Sequence, residues 1–574
     1  MGNLDGTSVP GRLLEAMDRF RERPAQSWQD NDGRWASISY GELARSISQI
    51  AAALTQRGVG PSDRVLLMAA TAPRWVQTDL AIQSLGAVTV PAFPSLEAEQ
   101  VAFLVRDSDA GLAIVDSAAH GAKIPEGCSV WNWDDPDWPE GPGATRDLTD
   151  WPQPTDPDAL ATLVYTSGTT AHSRGVMLTH RNLVSNMDGL DAALASSSGM
   201  AIGPEDRFLS FLPLSHIFER LVHLYFLSRG VSVYYSSPDR IATDVRAVHP
   251  TILLVVPRLL ERVMDSVREQ AGMGLKRRVF TMAEAVAIQA GEAVAAGRAR
   301  PRAWPLWDRL VYRRIRTGLG GSLRYVVSGG AALSRDLATF FTGAGIMVCE
   351  GYGLTEAAPV VAMNRANGLR FGTVGHPLPN VEVKLADDGE ILCRGPNIMA
   401  GYWKDPGATE AVLDQDGWLH TGDVGRYAPD GAIAIVDRKK DILVLSTGKK
   451  VVPTTIEQAL CRSPYIAQAV VLGDGKKYVA ALLGVDPEVV LGWAREHGIA
   501  GSWQEVAARP EWTALVNREL RRATRGFAPF EQPKRWALLP TLMTEESGEL
   551  TPSLKVKRRV VTTRHADLVA VLFA

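Results

Sequence analysis

From Tyr40 onward the apolar positions change period several times along the chain. ELARSISQIAAALTQRG (42–58) carries apolar residues at helical spacing, DRVLLMAA (63–70) is a short apolar run of strand length, and AIQSLGAVTVPAF (81–93) repeats the theme. Helix-length and strand-length stretches in alternation predict βαβ units around a mostly parallel sheet. The stretch from Val130 to Asp158 breaks the pattern: rich in Pro, Asp, Gly and Trp, it reads as a long surface connection pinned to the body by its tryptophans. Alternation resumes at ALATLVYTSGTT (159–170) and continues through DRFLSFLPLSHIFERLVHLYFL (206–227) and HPTILLVVPRLLERV (249–263). Nearer the C-terminal end, DGAIAIVDRKKDILVLSTGKKVVPTTIEQAL (430–460) reads as two strands joined by a charged joint and followed by a helix. No internal repeat is evident.

A chain of 574 residues is too long for one hydrophobic core. The exposed character of the DRKKD joint sets the division near Asp437, giving domains 1–437 and 438–574. With 61 basic and 64 acidic residues the formal net charge is −3, which points to no nucleic acid or other strongly charged partner. Cys128, Cys349, Cys393 and Cys461 lie far apart without a C-x-x-C pair. That suits reduced packing residues in a cytoplasm rather than a disulfide framework or a zinc site. The first twenty residues lack a basic segment leading into an apolar core, and no apolar run reaches spanning length, so the expectation is a protein neither secreted nor membrane-spanning. Between Lys276 and Arg316, ten basic residues face three acidic ones in an Ala-rich helical stretch. Two readings stand: a solvated helical face, or peripheral contact with anionic lipid at the inner face of the membrane.

Candidate chemistry begins at YTSGTTAHSRGVMLTHRN (165–182). Hydroxyls and glycine-freed backbone N–H groups make a loop that wraps phosphate oxygens, and Arg174 adds charge-assisted donors. It is not a Walker A loop, because no G-K-[ST] closes it. Further motifs follow in order: LPLSHIFER (212–220), SGGAAL (328–333), EGYGLTE (350–356), GWLHTGD (417–423), DRKKD (437–441) and LTPSLKVKR (550–558). Together these resemble the motifs of the adenylate-forming superfamily, whose phosphate loop usually reads Y-T-S-G-T-T-G-x-P-K-G-V. Here Ala171, Ser173 and Arg174 replace its last glycine, its proline and its lysine. LPLSHIFER, VPRLLERV, the helical insertion before SGGAAL and the LTPSLKVKR ending look most like bacterial long-chain fatty-acid CoA ligases.

The resemblance implies an α/β fold with a large multi-subdomain N-terminal domain and a small mobile α+β C-terminal domain. It implies ATP, Mg²⁺ and coenzyme A, with a fatty acid as the group activated; a homodimer is compatible with it. Thr166, Ser167, Gly168, Thr169, Thr170 and Arg174 are then expected around phosphate, and Thr355 with Glu356 at phosphate and metal. Gly330, Ala331, Ala332 and Tyr352 would meet adenine, and Asp423 and Arg438 the ribose. Lys440 takes the hinge position, Lys555 the catalytic one and the GKK of 448–450 the thiol-accepting face. His216 is expected either beside the acyl site or in the core. Two alternatives stay open: an acyl-AMP ligase that hands its product to a carrier protein, and a degenerate member that binds nucleotide or lipid without catalysis. The altered loop predicts a raised KM for ATP more than a lost kcat, because a planar guanidinium is not equivalent to an ammonium at phosphate.

Overall fold

The computed structural model describes residues 6–139, 156–166, 173–197, 200–272, 274–550 and 556–574, and these fall into two compact units. One comprises residues up to Lys384 with Leu392–Thr421 and Tyr427–Ala434. The other comprises Leu385–Ile391, Gly422–Arg426 and Ile435–Ala574.

In the first unit, helix Tyr40–Gln56 forms as its spacing predicts. Ser39 and Glu42 make a reciprocal cap at its start, and Leu43, Ile47, Ile50 and Leu54 are buried on one face. The apolar runs become strands Arg64–Met68 and Val88–Ala92, at the centre of a seven-stranded sheet. Its order is Gly401–Tyr402, Arg174–Thr179, Leu160–Thr166, Val88–Ala92, Arg64–Met68, Leu112–Val115 and Ser129–Asn132. The four-strand run from Val88–Ala92 to Ser129–Asn132 is parallel and is joined in parallel to Leu160–Thr166; Arg64–Met68, Val88–Ala92 and Leu112–Val115 lie inside this run, which is why they read as near-continuous apolar runs.

A nine-stranded sheet has Tyr325–Ser328, Ile252–Val255 and Arg207–Ser210 in its middle, again parallel. Phe340, Phe341, Val326, Val348 and Val255 are among the side chains of its core, onto which helix Leu275–Ala295 also packs through Phe280, Ala283 and Ala287.

Two expectations change, and one further element appears. Strand Ser129–Asn132 overlaps the start of the stretch read as connection; its four residues are too few to stand out among Pro and Asp, while Trp131, Trp133 and Trp138 are buried as expected. Strands Pro24–Gln29 and Trp35–Ser39 form a hairpin ahead of the first predicted element, and Pro24–Gln29 joins the nine-stranded sheet parallel to Ser232–Tyr235. Cys461 is exposed rather than packed, because it follows the last buried residue of helix Pro453–Leu460; Cys128, Cys349 and Cys393 are buried as read.

The second unit is α+β. Gln468–Leu472 pairs antiparallel with Ala480–Gly484, which pairs parallel with Arg535–Leu538. Helices Pro453–Leu460, Pro487–Glu496 and Pro510–Ala523 contribute to its core around Trp512, Leu483 and Val471. Arg558, from the predicted catalytic ending, is a structural tie here: it donates to Glu457 Oε1 at 2.6 Å, Glu457 Oε2 at 3.2 Å and the Val471 carbonyl at 2.8 Å.

Candidate active site

The phosphate-loop sequence connects two antiparallel strands whose ends meet at Thr166 and Arg174. Ser173 Oγ closes the base of this hairpin by donating to the Thr166 carbonyl at 2.5 Å, so the serine that replaces the family's proline supplies a hydrogen bond in place of ring rigidity. Ser167, Gly168, Thr169, Thr170 and Ala171 lie outside the described residues, as does Lys555.

Next to Arg174, Gly175 permits a close approach. A Cβ there would stand 3.1 Å from the Tyr165 ring and 3.3 Å from Trp403 Cβ. The strand Gly401–Tyr402 therefore lies directly against Arg174–Thr179, with Trp403 N–H donating to the Gly175 carbonyl at 2.8 Å.

That pairing gathers a charged cluster. Arg174 lies with its guanidinium 5.5 Å from the Tyr402 ring centre and its Nε 3.4 Å from Asp405 Oδ2. Asp405 is held by its other oxygen, since Oδ1 accepts the Ala408 N–H at 2.9 Å at the start of helix Pro406–Glu410. Tyr402 in turn donates its hydroxyl to Glu356 Oε1 at 2.8 Å. Burial, reinforced by the Glu356 charge, pushes the Tyr402 phenol well above its ordinary value, so it stays a donor across the physiological range. Thr355 and Glu356 sit in one short helical turn, Thr355–Ala357, with the Glu356 carbonyl accepting Met399 N–H at 2.9 Å. The structure thus brings Thr166, Arg174 and Glu356 onto connected elements, with Tyr402 and Asp405 as linking side chains.

The predicted adenine residues lie at the ends of two parallel strands, Tyr325–Ser328 and Met347–Gly353. Gly330 has φ +78°, a left-handed conformation that favours glycine, and turns the chain so that Ala331 and Ala332 are exposed. Leu333 N–H then donates to Glu350 Oε1 at 3.1 Å, which fastens this loop two residues before Tyr352. Glu350 is half-buried; desolvation pushes its carboxyl up to about 7, against the Leu333 N–H. Tyr352 itself is buried, paired across the sheet with Ala362. His216 is the cap of helix Ile217–Ser228, its Nδ1 accepting the Phe218 N–H at 3.2 Å; the ring is half-buried rather than a core residue.

In the second unit, Asp423 is 4% exposed, and its Oδ1 meets Arg438 Nε at 2.9 Å. Neighbouring Glu390 accepts Gly422 N–H at 2.9 Å and Lys439 Nζ at 2.9 Å. Lys440 is exposed beside this tether, in the turn that follows strand Ile433–Arg438. Glu350, Glu390, Tyr402 and Asp405 escaped the sequence reading; each acts through a partner distant in sequence or through a backbone N–H, and no local spacing marks them.

Among the described residues no group of three or more His, Cys, Asp or Glu side chains is arranged to hold a metal, and no helix is long and apolar enough to cross a membrane.

Comparison with known proteins identifies the family and the fold. The profile of the AMP-binding enzyme family matches residues 13–403, and that of the AMP-binding enzyme C-terminal domain matches residues 440–571. The long-chain-fatty-acid–CoA ligase FadD15 of Mycobacterium bovis is 36% identical over 571 residues, covering 94% of this chain and 93% of that protein. The human long-chain-fatty-acid–CoA ligase 1 is 32% identical over 566 residues, covering 91% of this chain and 80% of that protein. The fold is shared with ATP-bound MatB from Rhodopseudomonas palustris, at a TM-score of 0.71 and 24% identity over 98% of this chain and 99% of that one.

Proposed function

The chain belongs to the AMP-binding enzyme family, and from that premise we propose that it activates a long-chain fatty acid as its adenylate and transfers the acyl group to coenzyme A. The observation that carries this reading is the similarity, at 32% to 36% identity over more than 90% of this chain, to proteins named long-chain-fatty-acid–CoA ligase.

A carboxylate is a poor electrophile because its leaving group would be oxide. In the first half-reaction it attacks the α-phosphorus of ATP, and pyrophosphate leaves. Both reactants are anions, so the residues must offset charge where they meet. Thr166 to Thr170 and Arg174 hold the phosphate oxygens. Lys555 brings its ammonium to the α-phosphate and the incoming carboxylate. Tyr352 stacks on adenine along the Gly330–Ala332 backbone, and Asp423, its carboxylate oriented by Arg438, accepts the ribose hydroxyls.

Glu356 and Thr355 suit Mg²⁺, since this ion keeps several waters and takes its remaining ligands from one or two carboxylates and from phosphate. When bound, the ion supplies positive charge to the phosphates. In the second half-reaction residues 438–574 turn about Lys440, withdrawing Lys555 and presenting the 448–450 face. The CoA thiol sulfur then attacks the acyl carbonyl carbon, and AMP departs.

Contact with an anionic bilayer is part of this proposal. Leu275, directly before the basic stretch 276–316, and Met282, Leu306 and Leu310 within it are exposed, which supports a surface that couples apolar insertion to lipid charge. Cosedimentation with phosphatidylglycerol vesicles that survives 0.5 M salt, or fails even at low salt, would count against this charge-assisted contact.

The adenylation half is tested by exchange of labelled pyrophosphate into ATP with palmitate present and CoA absent. Palmitate-dependent exchange supports the reading, and its absence with every fatty acid of a C8 to C20 panel contradicts it.

A further inference from the structure

We infer that Tyr402 is a positioning residue that fixes the Glu356 carboxylate for metal and, through its ring, ties that carboxylate to the phosphate-loop arginine. This rests on the reading of Glu356 as the metal carboxylate.

Tyr402 belongs to a two-residue strand locked onto Arg174–Thr179 by register, Tyr402 opposite Val176 and Gly401 opposite Met177. Gly401 has φ +139° and Gly175 sits against Trp403, so the two strands approach where side chains would otherwise separate them. The Tyr402 ring therefore has a fixed origin. Its two polar features then reach two different charges: the hydroxyl donates to Glu356 Oε1 at 2.8 Å, and Arg174 lies 5.5 Å from its ring centre.

A carboxylate with one oxygen tied by a phenol cannot rotate freely about its terminal bond, so the second oxygen is held in one direction for a cation. Hydrogen bonds of this kind to metal-binding carboxylates are worth roughly 10- to 100-fold in metal affinity. Arg174 is held in the same cluster on its other side by Asp405, whose own position is set by the helix cap at Ala408. The arginine that replaces the family's lysine thus has a docking place built from a ring face and a fixed carboxylate. A planar guanidinium uses both and an ammonium uses a ring face less well.

Tyr402→Phe separates these roles, because it keeps the ring under Arg174 and removes only the hydroxyl. The readout is equilibrium binding: Mn²⁺ titrated by electron paramagnetic resonance in the presence of α,β-methylene-ATP, and the metal-free affinity for the same nucleotide by calorimetry. For Tyr402→Phe the expectation is Mn²⁺ affinity weakened about tenfold, with metal-free nucleotide affinity and the melting temperature as in the parent enzyme. Tyr402→Leu, which removes the ring as well, is expected to weaken metal-free nucleotide binding in addition. Glu356→Gln serves as the reference. If Glu356→Gln loses Mn²⁺ affinity and Tyr402→Phe does not, the positioning role is wrong while the metal reading stands. If Glu356→Gln binds Mn²⁺ like the parent, the metal reading itself is wrong and the inference goes with it. Equal loss of Mn²⁺ and metal-free nucleotide affinity in Tyr402→Phe would overturn the inference as well, since it would mark general damage to the site.

Discussion

Glu219 gives a quantitative test of how the interior is built. It lies on helix Ile217–Ser228, 1% exposed, with Ser210 Oγ donating to Oε1 at 2.6 Å and Oε2 without a hydrogen-bond partner among the described residues. Burial pushes its carboxyl from an ordinary 4.5 up to about 8, and the Ser210 hydroxyl only partly opposes this. The folded state therefore keeps a proton that the unfolded chain releases once the pH passes 4.5. Stability falls as pH rises through this window, by about 1.4 kcal/mol per pH unit, and levels off above the folded value. Glu219→Gln has no proton to release. Its amide N–H₂ takes the place of the unpartnered oxygen at a cost of about 1–3 kcal/mol, which is independent of pH. Urea unfolding of both proteins from about pH 5.5 to about pH 7.5 should show the difference moving in favour of glutamine by roughly 2–3 kcal/mol. Groups titrating elsewhere cancel in the difference. A difference that stays flat across this range would refute the assignment of a protonated Glu219.

Three further outcomes are expected. Arg174→Ala should raise KM for ATP by about tenfold or more, the loss of one charged hydrogen bond to phosphate. It should leave the melting temperature nearly unchanged, because its pairing with Asp405 is half-exposed and such pairs are worth about 0–1 kcal/mol; steady-state kinetics and a thermal melt check both. Lys555→Ala should abolish palmitate-dependent pyrophosphate exchange while keeping nucleotide affinity within about threefold, a loss specific to the transition state. Arg558→Ala should destabilise the C-terminal unit by about 2 kcal/mol, since Glu457 would keep a half-buried carboxylate without its cation; hydrogen exchange at Val471 should report it.

The parallel strands were legible because strands buried on both faces, such as Arg64–Met68 and Val88–Ala92, leave short apolar runs between helical patterns. The Pro24–Gln29 strand was not, because Gln26 and Ser27 are buried polar residues and look like surface. Gln26 is satisfied by Tyr235 and Gln77, partners that no local pattern reveals. The same distinction runs through the candidate site. Glu356 and Asp423 sit in motifs with their own signatures, whereas Tyr402 becomes meaningful only through Glu356, 46 residues earlier in the chain. Ser173, read as a lost proline, gains its role from the Thr166 carbonyl across the hairpin.

The most direct test of the account is mass-spectrometric detection of products from the protein, Mg-ATP and palmitate, with and without coenzyme A. Palmitoyl-CoA, AMP and pyrophosphate are expected when CoA is present, and palmitoyl-AMP with pyrophosphate when it is not. Palmitoyl-AMP that persists unchanged after CoA is added would contradict the ligase and favour delivery to a carrier protein. No acyl product from palmitate or any other fatty acid would contradict catalysis altogether.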